Sequence, residues 1–204
     1  MTSLFLVRHG ETALNAARVM QPADTPLSER GLAQARALAR RLAADAPAAL
    51  LSSDLPRARQ TADAIAAACG LAVAATPLLQ ERNFGALRGR PYDSLGFDPL
   101  ASDEAPPGGE SRSQFLARIR AAWDAVLTHV GAGPLVVVTH GLVIREWLTL
   151  GPPTLDPGVA PPQRLGNTAL TIVDATPPHR VRLANCTAHL QGEASEDFES
   201  LSGG

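Results

Sequence analysis

Leu135-Val136-Val137-Val138-Thr139-His140-Gly141 contains the clearest strand in the chain. An unbroken apolar run, with no polar alternation, fits a strand buried on both faces, as in a parallel sheet. Leu4-Phe5-Leu6-Val7 near the N-terminus is a second such run, and it stops at Arg8-His9-Gly10. Each strand therefore delivers a His-Gly pair to its carboxyl end, the edge of an open α/β sheet where ligands bind.

Working outward, Ser28 caps a helix running to about residue 44, with Leu32, Ala35, Leu38 and Leu42 at helical spacing and Pro47 beyond its end. Ala49-Leu50-Leu51-Ser52 reads as another short strand. Asp54 is the expected cap of a helix to about Cys69, with Pro56 in its first turn and Gly70 past its end. Residues 71–76 form a third strand candidate. Residues 91–112 are rich in proline and glycine and read as a surface excursion or lid. Ser113 is the expected cap of a helix with the stripe Phe115, Leu116, Ile119, Trp123, Val126, Leu127 and Val130, stopped by Gly131 and Gly133. A helix follows over 142–150, and two β-like runs over 169–173 and 180–183. Strands alternating with helices predict α/β architecture: a three-layer α/β/α sandwich around a mostly parallel sheet. One domain is expected over 1–192, followed by an acidic, frayed tail over 193–204.

Composition narrows the chemistry. For 204 residues, area scaling buries roughly 70% of the unfolded surface, enough for a core without staples. The net charge of −2 points to neither a nucleic-acid nor a membrane-surface partner. All 18 basic residues are arginine. The absence of lysine excludes a lysine Schiff base, hence ordinary pyridoxal-phosphate chemistry, and a P-loop. Cys69 and Cys186 lack zinc-site spacing and are expected to be reduced and buried. The N-terminal apolar run is too short for a signal peptide and no run is long enough for a membrane span, so a cytoplasmic protein is expected.

Anion chemistry must then use arginine, histidine or backbone amides. A neutral imidazole such as His9 is a good nucleophile toward phosphorus and titrates near neutral pH. Gly10 would let the backbone approach an anion. Arg57 and Arg59 sit near a helix start at the same sheet edge. A guanidinium grips two phosphate oxygens, but positions i and i+2 face different ways, so only one of the two enters a site. Glu81, read from its own stretch, is a surface glutamate paired with Arg82; beside a phosphate site, a raised pKa would make it a general acid. His140 can donate to a phosphoryl oxygen. His129, His179 and His189 read as structural or solvated.

The stretches Arg8-His9-Gly10-Glu11-Thr12-x-x-Asn15, Ser52-Ser53-Asp54-x-x-Arg57-x-Arg59-Gln60-Thr61-Ala62, Glu81 with Phe84-Gly85, Gly108-Gly109-Glu110-Ser111 and Thr139-His140-Gly141 together resemble the histidine phosphatase superfamily, also called phosphoglycerate mutase-like. They occur in the family's order over about residues 4–147. The resemblance implies that His9 becomes phosphohistidine and that Arg8, Arg59 and His140 line the phosphate pocket. It makes Asn15 and Gly141 further contacts and Glu81 the proton donor. No metal or cofactor is expected, and the substrate is a small phosphorylated metabolite. Family mutases carry a longer Lys- and Arg-rich insertion after the acid residue. Residues 91–112 are short and lack lysine, which favours a phosphomonoester hydrolase over a phosphoglycerate mutase. A non-catalytic phosphoprotein-binding module is the alternative from another class. Leu87-Arg88-Gly89 departs from the family's aromatic-then-acidic pattern. Arg82, Arg88 and Arg90 read as a basic rim for a second anionic group or as solvated side chains.

Overall fold

A computed structural model describes residues 2–190. Six strands form one sheet: β1 (Ser3–Arg8), β2 (Ala49–Ser53), β3 (Val73–Thr76), β4 (Leu135–Thr139), β5 (Leu170–Asp174) and β6 (Val181–Cys186), in the order β3-β2-β4-β1-β5-β6. The first four listed in that order run parallel to one another, and β5 is antiparallel to both of its neighbours. The helices are α1 (Ala13–Ala16), α2 (Glu29–Ala43), α3 (Pro56–Cys69), α4 (Arg112–Thr128) and α5 (Gly141–Leu150).

Side chains alternate across the sheet, which gives it two cores. Phe5, Val7, Val136 and Val138 face one side and pack with Leu38, Leu42, Ala58, Ala62 and Ile65 of α2 and α3. Leu4, Leu6, Leu135 and Val137 face the other and pack with Phe115, Ile119 and Trp123 of α4 and with Val143 and Trp147 of α5. Trp123 meets Trp147 edge-on at 5.2 Å, and the Trp147 indole N–H donates to the Ile119 carbonyl at 2.8 Å. The expected three-layer α/β/α arrangement with a mostly parallel sheet is present.

Several local expectations shift. Ser28 caps α2 as expected, its hydroxyl accepting from Gly31 N–H. Asp54 does not cap α3: Leu55 holds that position without a side-chain bond, and Asp54 accepts instead from the Gln80 amide at 2.8 Å. Ser111, not Ser113, caps α4, because Gln114 can reach back to Ser111 N–H and complete a capping box. α4 ends at Thr128 with His129 as its cap, before the glycines. Cys69 and Cys186 are unpaired and half-buried rather than buried. Among the described residues no helix is long and apolar enough to cross a membrane. The expected acidic tail lies outside the described residues.

Residues 91–112 are tied down by one buried guanidinium. Arg82 donates to the carbonyls of Pro99, Ser102, Glu104 and Glu110, and its charge lies over the Phe84 ring at 5.3 Å. It therefore belongs to the scaffold and not to a solvated rim.

The turn after β1 presses against the start of α2. A Cβ on Gly31 would sit 2.0 Å from the Glu11 carbonyl oxygen, and one on Gly10 would sit 2.6 Å from the Gly31 oxygen. Both neighbours are backbone and cannot yield cheaply. Gly31→Ala is therefore expected to destabilise by at least the ~1–3 kcal/mol of ordinary overpacking, lowering Tm by about 2–4 °C per kcal/mol. Gly131, whose Cβ position meets nothing within 4 Å, supplies the control: thermal unfolding of Gly131→Ala should match the unsubstituted protein.

Candidate active site

β1 and β4 pair in parallel with Arg8 beside Thr139. The next residue of each strand is a histidine, and His9 N–H donates to the Thr139 carbonyl at 3.0 Å. The two imidazoles accordingly lie side by side, with ring centroids 5.1 Å apart, and both are fully buried. His9 Nδ1 lies 2.7 Å from the Gly10 carbonyl oxygen. A carbonyl only accepts, so Nδ1 carries the proton and Nε2 keeps its lone pair. The His9 carbonyl is held in turn by Thr168 N–H at 3.2 Å and by the Asn167 amide at 3.3 Å.

Arg8 is fully buried and donates to the Leu165 carbonyl. Of the two arginines at the start of α3, the fold selects Arg57. It is 2% exposed and donates to the Pro22 carbonyl at 3.4 Å. Arg59 is a correction: it lies on the exposed face of α3 and pairs with Asp63 one turn on, at 2.8 Å. Residues two apart on a helix are separated by about 200°, so bringing Arg57 to the sheet edge turns Arg59 away.

Gly10 is a second correction. Its N–H donates to the Thr61 hydroxyl at 3.0 Å, and its missing side chain admits Gly31 rather than an anion. Asn15 is buried where expected. Its carbonyl oxygen accepts from Thr12 N–H as part of the α1 capping box and from the Asn167 amide. Gly141 is buried as the first residue of α5, with His140 as its N-cap. Glu81 is not a surface residue paired with the Arg82 guanidinium. It is 4% exposed, and its carboxyl accepts from the backbone N–H groups of Leu142 at 3.1 Å and Arg82 at 3.0 Å. The carbonyls of Leu78, Gln80 and Glu81 all accept from Arg118, which also pairs with Glu110 at 2.8 Å. The proton-donor candidate thus hangs from α4.

Burial dominates the electrostatics. It drives the pKa of both His9 and His140 well below the ordinary histidine value, and the charges of Arg57 and Arg8 push in the same direction. The Glu81 pKa is raised, because burial outweighs the amides of Leu142 and Arg82 and the nearby arginines. Arg57 is itself lowered to about 10, by burial first, with the charges of Arg88 and Arg8 adding to the effect against the pull of Glu81. Arg88 is therefore the one expected rim arginine whose charge is felt in the pocket; Arg90 is exposed.

Buried polar atoms without a hydrogen-bond partner include His9 Nε2, His140 Nδ1, Arg57 Nε, Asn15 Nδ2 and Gln21 Nε2. Such atoms are costly unless something satisfies them. Unsatisfied donors together with an imidazole lone pair suit a tetrahedral oxyanion. Among the described residues no three His, Cys, Asp or Glu side chains gather as metal ligands. The remaining histidines stand apart: His129 is exposed, His179 packs edge-on to Trp123, and His189 is held by Thr168 with its pKa lowered to about 4 by burial. Sequence reasoning gave no role to Gln21, Ser53, Tyr92, Arg118 or the 165–169 turn. Tyr92 has its phenol pKa raised by burial and by the charge of Glu81. Inorganic phosphate binding, measured calorimetrically, should weaken ~10–100-fold in Arg57→Gln, the loss of a hydrogen bond to a charged group. The same measurement on Arg59→Gln should stay within about twofold.

The profile of the histidine phosphatase superfamily (branch 1) matches residues 4–187. A Yersinia pestis protein named as a probable phosphoglycerate mutase, GpmB, is 39% identical over 154 residues, covering 71% of this chain and 72% of that protein. A mycobacterial glucosyl-3-phosphoglycerate phosphatase in complex with VO3 superimposes with a TM-score of 0.74 at 29% identity, covering 91% of this chain and 100% of that one. YhfR of Bacillus stearothermophilus gives a TM-score of 0.79 at 28% identity over 94% of this chain and 100% of its own. With its paired strand-end histidines and its near full-length match, the chain belongs to the histidine phosphatase superfamily.

Proposed function

We propose that this chain is a metal-independent phosphomonoester hydrolase that works through phosphohistidine at His9. The observation that carries the reading is the pair of buried imidazoles 5.1 Å apart, flanked by Arg8 and Arg57. In the first step the His9 Nε2 lone pair attacks phosphorus in line, and the bond from phosphorus to the leaving oxygen breaks. Glu81 gives its proton to that oxygen. In the second step water attacks the phosphorus of phosphohistidine, Glu81 takes back a proton, and the nitrogen–phosphorus bond breaks to release orthophosphate. Arg8, Arg57 and His140 hold the non-bridging oxygens, with the Asn15 amide as a further donor. Arg57 takes the place expected for Arg59.

The phosphatase names of the structural relatives favour hydrolysis of small phosphorylated metabolites. The excursion favours it as well. Its basic residue Arg112 is engaged with Glu146 at 3.2 Å, and Arg82 is spent on carbonyls, so neither is left to hold a sugar acid in a dry site. The GpmB relatives support phosphoglycerate mutase as a second reading. Retention of both nucleophile and acid weighs against a pure binding module.

His9→Ala should abolish turnover of p-nitrophenyl phosphate, while dialysis against EDTA should leave the unsubstituted enzyme active; a working alanine variant would overturn the proposal. With 3-phosphoglycerate and a bisphosphoglycerate primer, phosphate release should exceed isomer interconversion, and the reverse ratio would make the chain a mutase. The lowered histidine pKa values keep the nucleophile neutral well below pH 6.5, so the acid limb of kcat/KM should lie there. The raised Glu81 pKa sets the alkaline limb, since activity needs its proton. Glu81→Ala should lose that limb and fall about 10²–10⁴-fold on alkyl phosphates, and much less on p-nitrophenyl phosphate, whose leaving group needs little protonation.

A further inference from the structure

We propose that Ser53 is a positioning residue whose hydroxyl proton fixes His140 as the neutral tautomer with its N–H on Nδ1, the nitrogen offered to the phosphoryl group. The proposal rests on the hydrolase reading above and concerns a residue on a third strand.

Ser53 ends β2, which pairs in parallel with β4, and it is fully buried. Its Oγ lies 2.9 Å from His140 Nε2. The same oxygen accepts from Leu55 N–H at 3.3 Å. Two proton arrangements are compatible with these distances. In one, Nε2 carries the hydrogen and donates to Oγ. The serine hydrogen then needs an acceptor, and among the described residues Ser53 Oγ has no further partner. A buried hydroxyl hydrogen would be stranded, and Nδ1 would present a lone pair to an incoming oxyanion. In the other, Ser53 O–H donates to Nε2, Leu55 N–H donates to Oγ, and Nδ1 carries the ring hydrogen. Every hydrogen of the network is then used, except the Nδ1–H that the site requires as a donor. Histidine tautomers are set in this way, by what the opposite ring nitrogen is bonded to.

The neighbouring serine does not compete. Ser52 donates its hydroxyl hydrogen to the Ser53 carbonyl at 2.7 Å. The doubly protonated form is disfavoured by burial and by the surrounding groups, namely Arg57 on α3, His9 just past the end of β1, Arg118 on α4, and Arg8 on β1. His140 thus offers a directed hydrogen bond without adding another positive charge beside the guanidinium groups of Arg8 and Arg57. Fixing the tautomer of a catalytic imidazole through its far nitrogen is a known source of rate, and the wrong tautomer is severely costly.

Nitrogen-15 NMR of the ring nitrogens in the unsubstituted protein tests this without turnover. Nδ1 of His140 should show the protonated shift and Nε2 the unprotonated one; the opposite assignment overturns the proposal. Ser53→Ala should give mixed or exchanged tautomers and a kcat on p-nitrophenyl phosphate lowered about 10–100-fold, with Ser53→Thr, which keeps a hydroxyl, recovering most of it. A Ser53→Ala protein with unchanged tautomer and unchanged kcat overturns the proposal. If Ser53→Ala does not fold, the spectrum of the unsubstituted protein decides alone. Failure of the hydrolase reading is separate, because it would appear as full activity in His9→Ala whatever the tautomer of His140.

Discussion

The parallel pairing of β1 with β4 is the constraint on which the rest depends. Once Arg8 lies beside Thr139, the chain has no freedom to separate the two histidines that follow. A register slip of one residue would send each strand's side chains to the opposite core. That slip is opposed by two buried faces at once, since Leu4 and Leu6 serve one and Phe5 and Val7 the other. The hydrophobic effect thereby sets the spacing of the imidazoles, and no contact between the rings themselves is needed to hold them.

The same burial sets the charge state of the site. Arg8 and Arg57 are removed from water, while Glu81, the carboxyl whose charge Arg57 feels, is itself pushed toward its neutral form. Burial first, and then the surplus of positive charge, keep both imidazoles unprotonated, and the same surplus favours a dianionic ligand. Elsewhere the fold pairs its arginines with carboxylates: Arg118 with Glu110, and Arg112 and Arg145 with a shared Glu146. The contrast distinguishes guanidinium groups that serve the scaffold from those that face the pocket.

Much of this was legible in the sequence because it rests on local signals. The apolar runs ending at His9 and His140, the Ser28 cap and the Gly70 stop depend on residues close together in the chain. The choice between Arg57 and Arg59 was not legible. It depends on which face of the first turn of α3 meets the sheet, and that is a tertiary fact. The burial of Glu81 was not legible in its own stretch for a related reason, although the family resemblance pointed to its proposed role. Glu81 is held by the N–H of Leu142 on its carboxyl and by Arg118 on its carbonyl, both distant in sequence. The 165–169 turn lacks periodicity and includes Thr168 at φ 54; its role appears only when it is seen holding the His9 carbonyl.

The proposed nucleophile and the proposed proton donor ride on different layers. His9 sits on the sheet, braced by the helices that pack with Phe5 and Val7, whereas Glu81 is suspended from Arg118 in the opposite layer. A lineage can therefore reseat α4, for instance by exchanging residues beneath Trp123, and so shift the acid by fractions of an ångström with little disturbance to the grip on phosphate. Preference for easy or difficult leaving groups becomes an adjustable trait, heritable separately from anion affinity.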